Sequence, residues 1–167
     1  MHVVLVAPEI PQNTGNIART CAATGSTLHL IRPLGFEISD RYLKRAGLDY
    51  WSMVELKIYD DLRVFYAANP DGMMYYATTK APRPYCAQAY PRDSFLVFGC
   101  ETRGLPEDLL SSVYDRCVRI PMAPGARSLN LSNSVAIVLY EALRQQGFEG
   151  MRETGALAGR DEMGWLD

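Results

Sequence analysis

A chain of 167 residues, 48% hydrophobic and 22% charged, has the make-up of one soluble globular domain. At this length roughly 68–70% of the unfolded surface is buried on folding, so neither disulfide nor metal is needed to hold the core. A formal charge of −2 excludes the strongly basic face of a non-specific nucleic-acid binder and confines any RNA site to a local patch, completed by a second subunit.

In chain order, short apolar runs predict strands over 2–7, 27–32, 54–59, 73–78, 94–99 and 116–121, and helices over 16–25, 40–47, 60–68, 105–112 and 132–146. The first run lacks a basic leader and is too short to span a membrane, so it reads as a strand of a cytoplasmic chain without membrane segments. Near-continuous apolar strands such as Phe95-Leu96-Val97-Phe98 suit a sheet covered on both faces. The alternation predicts a single α/β domain over 1–150, a mostly parallel sheet with helices on both faces. Residues 151–167, rich in glycine and charge, are expected to form a loose tail.

Cys21, Cys86, Cys100 and Cys117 are scattered and the chain has two histidines, His2 and His29, so no metal-ligand spacing exists and no metal is expected. His29 falls inside an apolar strand, where a structural role is expected.

In such folds ligands bind in the loops at the carboxyl ends of the strands. After the first strand, Pro8 to Thr20 predicts a rigid entry to a helix capped near Asn13 to Asn16, with Arg19 one turn in and directed at the ligand edge. After the fifth, Gly99-Cys100-Glu101-Thr102-Arg103-Gly104-Leu105-Pro106 combines glycines for close approach with an acid and a base. After the sixth, polar residues at 128, 130, 132, 133 and 134 exceed what one helix cap requires. There is no G-x-G-x-x-G and no phosphate-binding G-x-x-x-x-G-K-[ST]. Arg32-Pro33 occupies the position where a dinucleotide fold carries its ribose-binding acid, which disfavours nicotinamide enzymes and conventional Rossmann methyltransferases alike.

Together, Asn13-Thr14-Gly15-Asn16-Ile17-Ala18-Arg19, Phe98 to Pro106 and Ser128-Leu129-Asn130-Leu131-Ser132 resemble the three motifs of the SPOUT methyltransferases. Arg45 to Trp51 and the short length resemble that superfamily's tRNA (cytidine/uridine-34)-2′-O-methyltransferase branch. The resemblance implies a C-terminal trefoil knot, a homodimer, S-adenosyl-L-methionine as methyl donor with S-adenosyl-L-homocysteine as product, and the wobble ribose of leucine tRNAs as acceptor. Carried over by motif, Ala77, Thr78, Gly99, Ile120 and Ser128 would bind the cofactor, and Asn13, Arg19, Glu101 and Asn130 would form the catalytic set. Candidate RNA contacts are Arg41, Lys44, Arg45 and Tyr140, with Tyr50, Trp51, Lys80 and Arg83. The alternatives are a 2′-O-methyltransferase of rRNA or another tRNA position, and a non-catalytic RNA-binding factor. The wide apolar stripe of the last helix is expected to serve either its own core or a dimer interface.

Overall fold

The structure is a computed structural model that describes residues 1–38 and 53–156. Six strands form one sheet: β1 (His2–Val6), β2 (Thr27–Ile31), β3 (Leu56–Tyr59), β4 (Met74–Ala77), β5 (Phe95–Phe98) and β6 (Cys117–Val118). All pairings are parallel, in the order β3-β2-β1-β5-β4-β6. The described helices are α1 (Pro11–Thr24), α2 (Leu62–Ala68), α3 (Glu107–Ser112) and α4 (Leu131–Gln145). The chain winds outward from β1 through β2 to β3, then reappears on the other side through β4 and β5. The order therefore reverses between the neighbours β1 and β5, the point at which open α/β sheets leave a crevice beyond their carboxyl ends.

Strand alternation decides which helix lies where. Val3, Leu5, Leu28, Leu30, Leu96 and Phe98 face one side, where α1 contributes Ile17, Ala18 and Cys21 and α4 contributes Val135, Val138, Leu139 and Ala142. Val4, Val6, Ile31, Phe95 and Val97 face the other, against Phe65 of α2 and Leu110 of α3. Each such large side chain contributes roughly 1.5–3 kcal/mol on leaving water. The buried stripe of α4, from Leu131 to Ala142, serves this core, while Tyr140 stands 44% exposed.

Local chemistry set most boundaries, with two corrections. The first helix begins at Pro11, not at 16. Proline suits the first helical position, where its missing N–H loses nothing. Asn13 is therefore no cap: the capping position is Ile10, whose side chain makes no capping bond, and Arg19 sits more than two turns into the helix rather than one. Gly25 closes the helix at φ +63°. The second correction is β6, which pairs with β4 only at Cys117 and Val118. Beyond them Arg119 exchanges backbone hydrogen bonds with the loop after β4, donating to Arg83 O (3.0 Å) and accepting from Tyr85 N (2.8 Å). The expected helix over 40–47 lies outside the described residues, as does the tail beyond 156. No helix among the described residues is long and apolar enough to cross a membrane, and none of their His, Cys, Asp and Glu groupings could hold a metal ion.

Candidate active site

Three loops at the carboxyl edge are joined by one hydrogen-bonded chain. Glu101, after β5, accepts from Glu9 N (2.8 Å), Ile10 N (3.2 Å) and Asn13 Nδ2 (2.9 Å), so a carboxylate from a distant loop supplies the acceptor that α1 lacks locally. Because the Asn13 amide donates to that carboxylate, its carbonyl is left to accept, and Asn130 Nδ2 donates to it (3.0 Å). The Asn130 carbonyl then caps α4, accepting from Ser132 N (2.9 Å) and Ser132 Oγ (2.7 Å). One carboxylate thus fixes both amide orientations and ties the end of β1, the end of β5 and the start of α4 together.

The tie is reciprocal. Glu9 turns its own carboxylate on the β5 loop, accepting from Thr102 N (3.2 Å) and Thr102 Oγ1 (2.9 Å). The loop after β2 closes on the same segment: Gly35 N donates to Pro8 O (2.9 Å), and a Cβ on Gly35 would meet the Glu9 backbone at 2.7 Å. The clasp residues Glu9, Thr102 and Gly35 were not among the expected site residues. The surplus of polar groups in the β1 and β5 loops was the signal for the first two, whereas nothing local marks Gly35.

Beside this chain lies a cavity of about 560 Å³, within the range of small-molecule sites. Its wall brings together Ala77 and Thr78 from the end of β4, Gly99 from the end of β5, Ile120 beyond β6 and Ser128 before α4, together with Asn13, Glu101 and Asn130. Gly99 is obligatory, because a Cβ there would lie 2.0 Å from Gly104 C and 2.2 Å from Leu105 N. The loop curls back on itself, with Gly104 N donating to Cys100 O (2.9 Å) and Gly104 at φ +70°. Lys80 and Glu107 form an ion pair at the rim, and the hydrogen bond from Lys80 holds the Glu107 carboxyl below its ordinary range.

Arg19 is the exception among the expected residues. It stands on the exposed face of α1, outside the cavity wall. Tyr140 also does not line the wall; its ring lies 6.5 Å from that of Phe148. Lys80 lines the cavity and Arg83 does not. Arg41, Lys44, Arg45, Tyr50 and Trp51 lie outside the described residues. Among the cysteines, Cys21 is buried and its thiol is pushed up to about 12 by desolvation, which leaves it unreactive.

A parallel sheet with a polar-edged cavity at its reversal point defines a small-ligand-binding α/β protein, and comparison with known proteins narrows the class. The chain belongs to the SpoU rRNA methylase family, whose model matches residues 1–140. It is 51% identical over 152 residues to a tRNA (cytidine(34)-2′-O)-methyltransferase of Burkholderia ambifaria, covering 89% of this chain and 97% of that one. A structure solved in work on 2-OH methylation of C/U34 on tRNA superposes with a TM-score of 0.84 at 44% identity, covering 87% and 95% of the two chains. An AdoMet-bound rRNA methyltransferase of Sinorhizobium meliloti superposes with a TM-score of 0.77 at 25% identity, covering 86% of this chain and 55% of that one.

Proposed function

We propose that this chain transfers a methyl group from S-adenosylmethionine to the 2′-hydroxyl of a tRNA ribose, that of cytidine or uridine 34 in leucine tRNAs. The observation that carries the reading is the convergence of Ala77, Thr78, Gly99, Ile120 and Ser128 with Asn13, Glu101 and Asn130 on one cavity. The names of the close relatives support the acceptor, and the AdoMet-bound neighbour supports the donor.

The cavity fits the cofactor in size and lining, with an apolar wall of Phe98, Ile120 and Leu131 and hydroxyls from Thr78 and Ser128. Ala77, Thr78, Gly99, Ile120 and Ser128 are the residues assigned to hold it. The cofactor supplies an electrophilic methyl on a sulfonium. The protein's work is orientation, since holding two reactants in line removes much of the barrier to a displacement. Glu101, Asn13 and Asn130 are assigned to that task, because each spends its polar atoms on the loops that form the wall. They are positioning residues in this scheme, and the 2′-hydroxyl proton passes to water or to an RNA phosphate.

Arg19 is assigned a cationic role. A guanidinium keeps its proton and stabilises a forming alkoxide without acting as a base. Its place outside the wall favours a homodimer in which a second copy supplies Arg19, with Tyr140 and the half-buried Ile137 of α4 offered to the interface. A knotted C-terminal path belongs to the same reading. It is supported by the seating of residues 117–119 between β4 and segment 83–85, and by hydrogen bonds from Gln145 and Gln146 to the backbone of Gln88 and Tyr90. The cytoplasm, where tRNA is modified, is the proposed compartment.

Incubation with cofactor labelled in the methyl group and purified tRNA, followed by nucleoside mapping, tests the reading. Label on the ribose of nucleotide 34 is expected. Label in rRNA or at another tRNA nucleotide would replace the acceptor, and the absence of label from every RNA would overturn the activity. Arg19→Ala is expected to lose turnover and keep cofactor affinity; equal loss of both would remove its assigned role.

A further inference from the structure

The cavity mouth carries more than the methyl-transfer reading uses. Arg103 and Arg127 line it, both are exposed, and among the described residues neither has a carboxylate within ion-pair distance. Both described lysines are paired, Lys57 with Glu55 and Lys80 with Glu107, as are Arg32, Arg92 and Arg144. Arg63, Arg83, Arg116, Arg119 and Arg152 also lack a carboxylate partner among the described residues, but of these unpaired arginines only Arg103 and Arg127 line the cavity. The acid nearest to Arg103 in sequence, Glu101, spends both oxygens on Glu9, Ile10 and Asn13. In a protein of net charge −2, two guanidiniums without acidic partners among the described residues thus stand at the edge of this cavity.

Each arginine is carried on a closed turn. Arg103 lies between Thr102, tethered to Glu9, and Gly104, which bonds back to Cys100. Arg127 follows a turn in which Ala126 N donates to Ala123 O (3.1 Å) and Gly125 has φ +87°. Anchored stems reduce the ordering entropy of a long side chain when it grips a ligand. Two large apolar side chains share the mouth, Ile10 at 41% exposure and Leu129 at 41%. Cations beside exposed apolar surface match a nucleotide, whose phosphate is anionic and whose base and sugar present apolar faces.

We infer that Arg103 and Arg127 grip the phosphodiesters flanking the target nucleotide, with Ile10 and Leu129 against its sugar or base. The assignment deepens the proposed function and rests on it for the identity of the RNA. A guanidinium fork suits phosphate geometry. Both side chains are exposed at the mouth, where a bulky polyanion can reach them.

The test uses the full chain and leucine tRNA. Binding is measured over a range of salt concentrations for the wild type, Arg103→Ala, Arg127→Ala and the double variant, with cofactor affinity measured in parallel by calorimetry. Each single variant is expected to weaken tRNA binding about tenfold, the scale of one charge-assisted phosphate contact. Each should also flatten the log K against log salt slope by about 0.7–0.9 per lost contact. Cofactor affinity should stay at the wild-type value, which also shows that the variants fold. Unchanged tRNA affinity and slope would overturn the inference, as would a loss confined to cofactor affinity, which would give the arginines to the cofactor instead. Methyl transfer by the wild type is a separate readout. If it is absent while tRNA binding depends on the arginines, the reaction falls and the phosphate site stands.

Discussion

The two ends of the same strands treat polar side chains in opposite ways. At the amino end His2 Nδ1 lies 3.0 Å from His29 Nε2, and His29 Nδ1 lies 3.1 Å from Tyr59 Oη. Phe65 and Phe95 close around them, and His2 stacks on Phe95 with centroids 4.2 Å apart. Desolvation pushes His29 down to about 3, and burial also lowers His2. Burial favours the uncharged form of both imidazoles, and His29 is fully buried while His2 is half-buried, so the histidine expected to be structural is so. At the carboxyl end Glu9, Asn13, Glu101 and Asn130 are just as fully bonded among themselves, but they border an open cavity. A satisfied polar cluster is therefore not in itself a site. What distinguishes the carboxyl end is that its hydrogen bonds join separate loops and leave space between them.

If that distinction is right, changes at the two ends must differ in kind. The largest effect is expected from Asn13→Ala and Asn130→Ala, which cut the link between the β1 loop and α4. Turnover should fall by about 10²-fold, the scale set by misplacing reacting groups by about an ångström. Cofactor affinity should change little, and Asn130→Ala should also lose about 1 kcal/mol of stability with its cap. Steady-state kinetics with calorimetry would expose the opposite pattern. Gly99→Ala comes next: its Cβ has backbone within 2.0 Å, so it should weaken cofactor binding and destabilise by about 1–3 kcal/mol in thermal melts. Glu9→Gln should cost about tenfold in kcat by weakening the hydrogen bonds from Thr102, with the melting temperature nearly unchanged.

The effect at the amino end appears in stability alone. In the fold His29 binds a proton only near pH 3, whereas in the unfolded chain it does so near 6.5. Between those values the unfolded state holds the extra proton, so stability is lost as pH falls below about 6.5. The loss has a slope of up to about 1.4 kcal/mol per pH unit for the one group. Denaturant midpoints for the wild type and His29→Leu, measured from pH 7 to pH 4, should converge on acidification. Parallel curves would show that the histidine is not neutral in the fold.

Much of this was legible in the sequence, and the failures share a cause. Strands such as Phe95–Phe98 and helices such as Leu131–Gln145 fall within two residues of their expected bounds, because apolar period and local turn residues decide them. The start of α1 was misplaced by five residues because its capping acceptor is Glu101, far away in the chain. Asn13 looked like a cap and is instead a crosslink to Asn130. Gly35 gave no local signal, since only its approach to Glu9 explains it. Local rules read what neighbours in sequence decide; the site is built from contacts between loops. The motif residues were found as a set through resemblance, but their division into wall, crosslink and an Arg19 outside the wall became visible only in three dimensions.

The central claim, methyl transfer to one ribose, has a direct readout, because a 2′-O-methyl group blocks alkaline cleavage of the adjoining phosphodiester. End-labelled leucine tRNA would be treated with the protein and S-adenosylmethionine, then subjected to alkaline hydrolysis. A single new gap in the ladder at nucleotide 34, dependent on cofactor and forming about 10²-fold more slowly with Asn130→Ala, is the predicted result. An unbroken ladder with the wild type, or a gap that forms as fast with Asn130→Ala, would contradict the account.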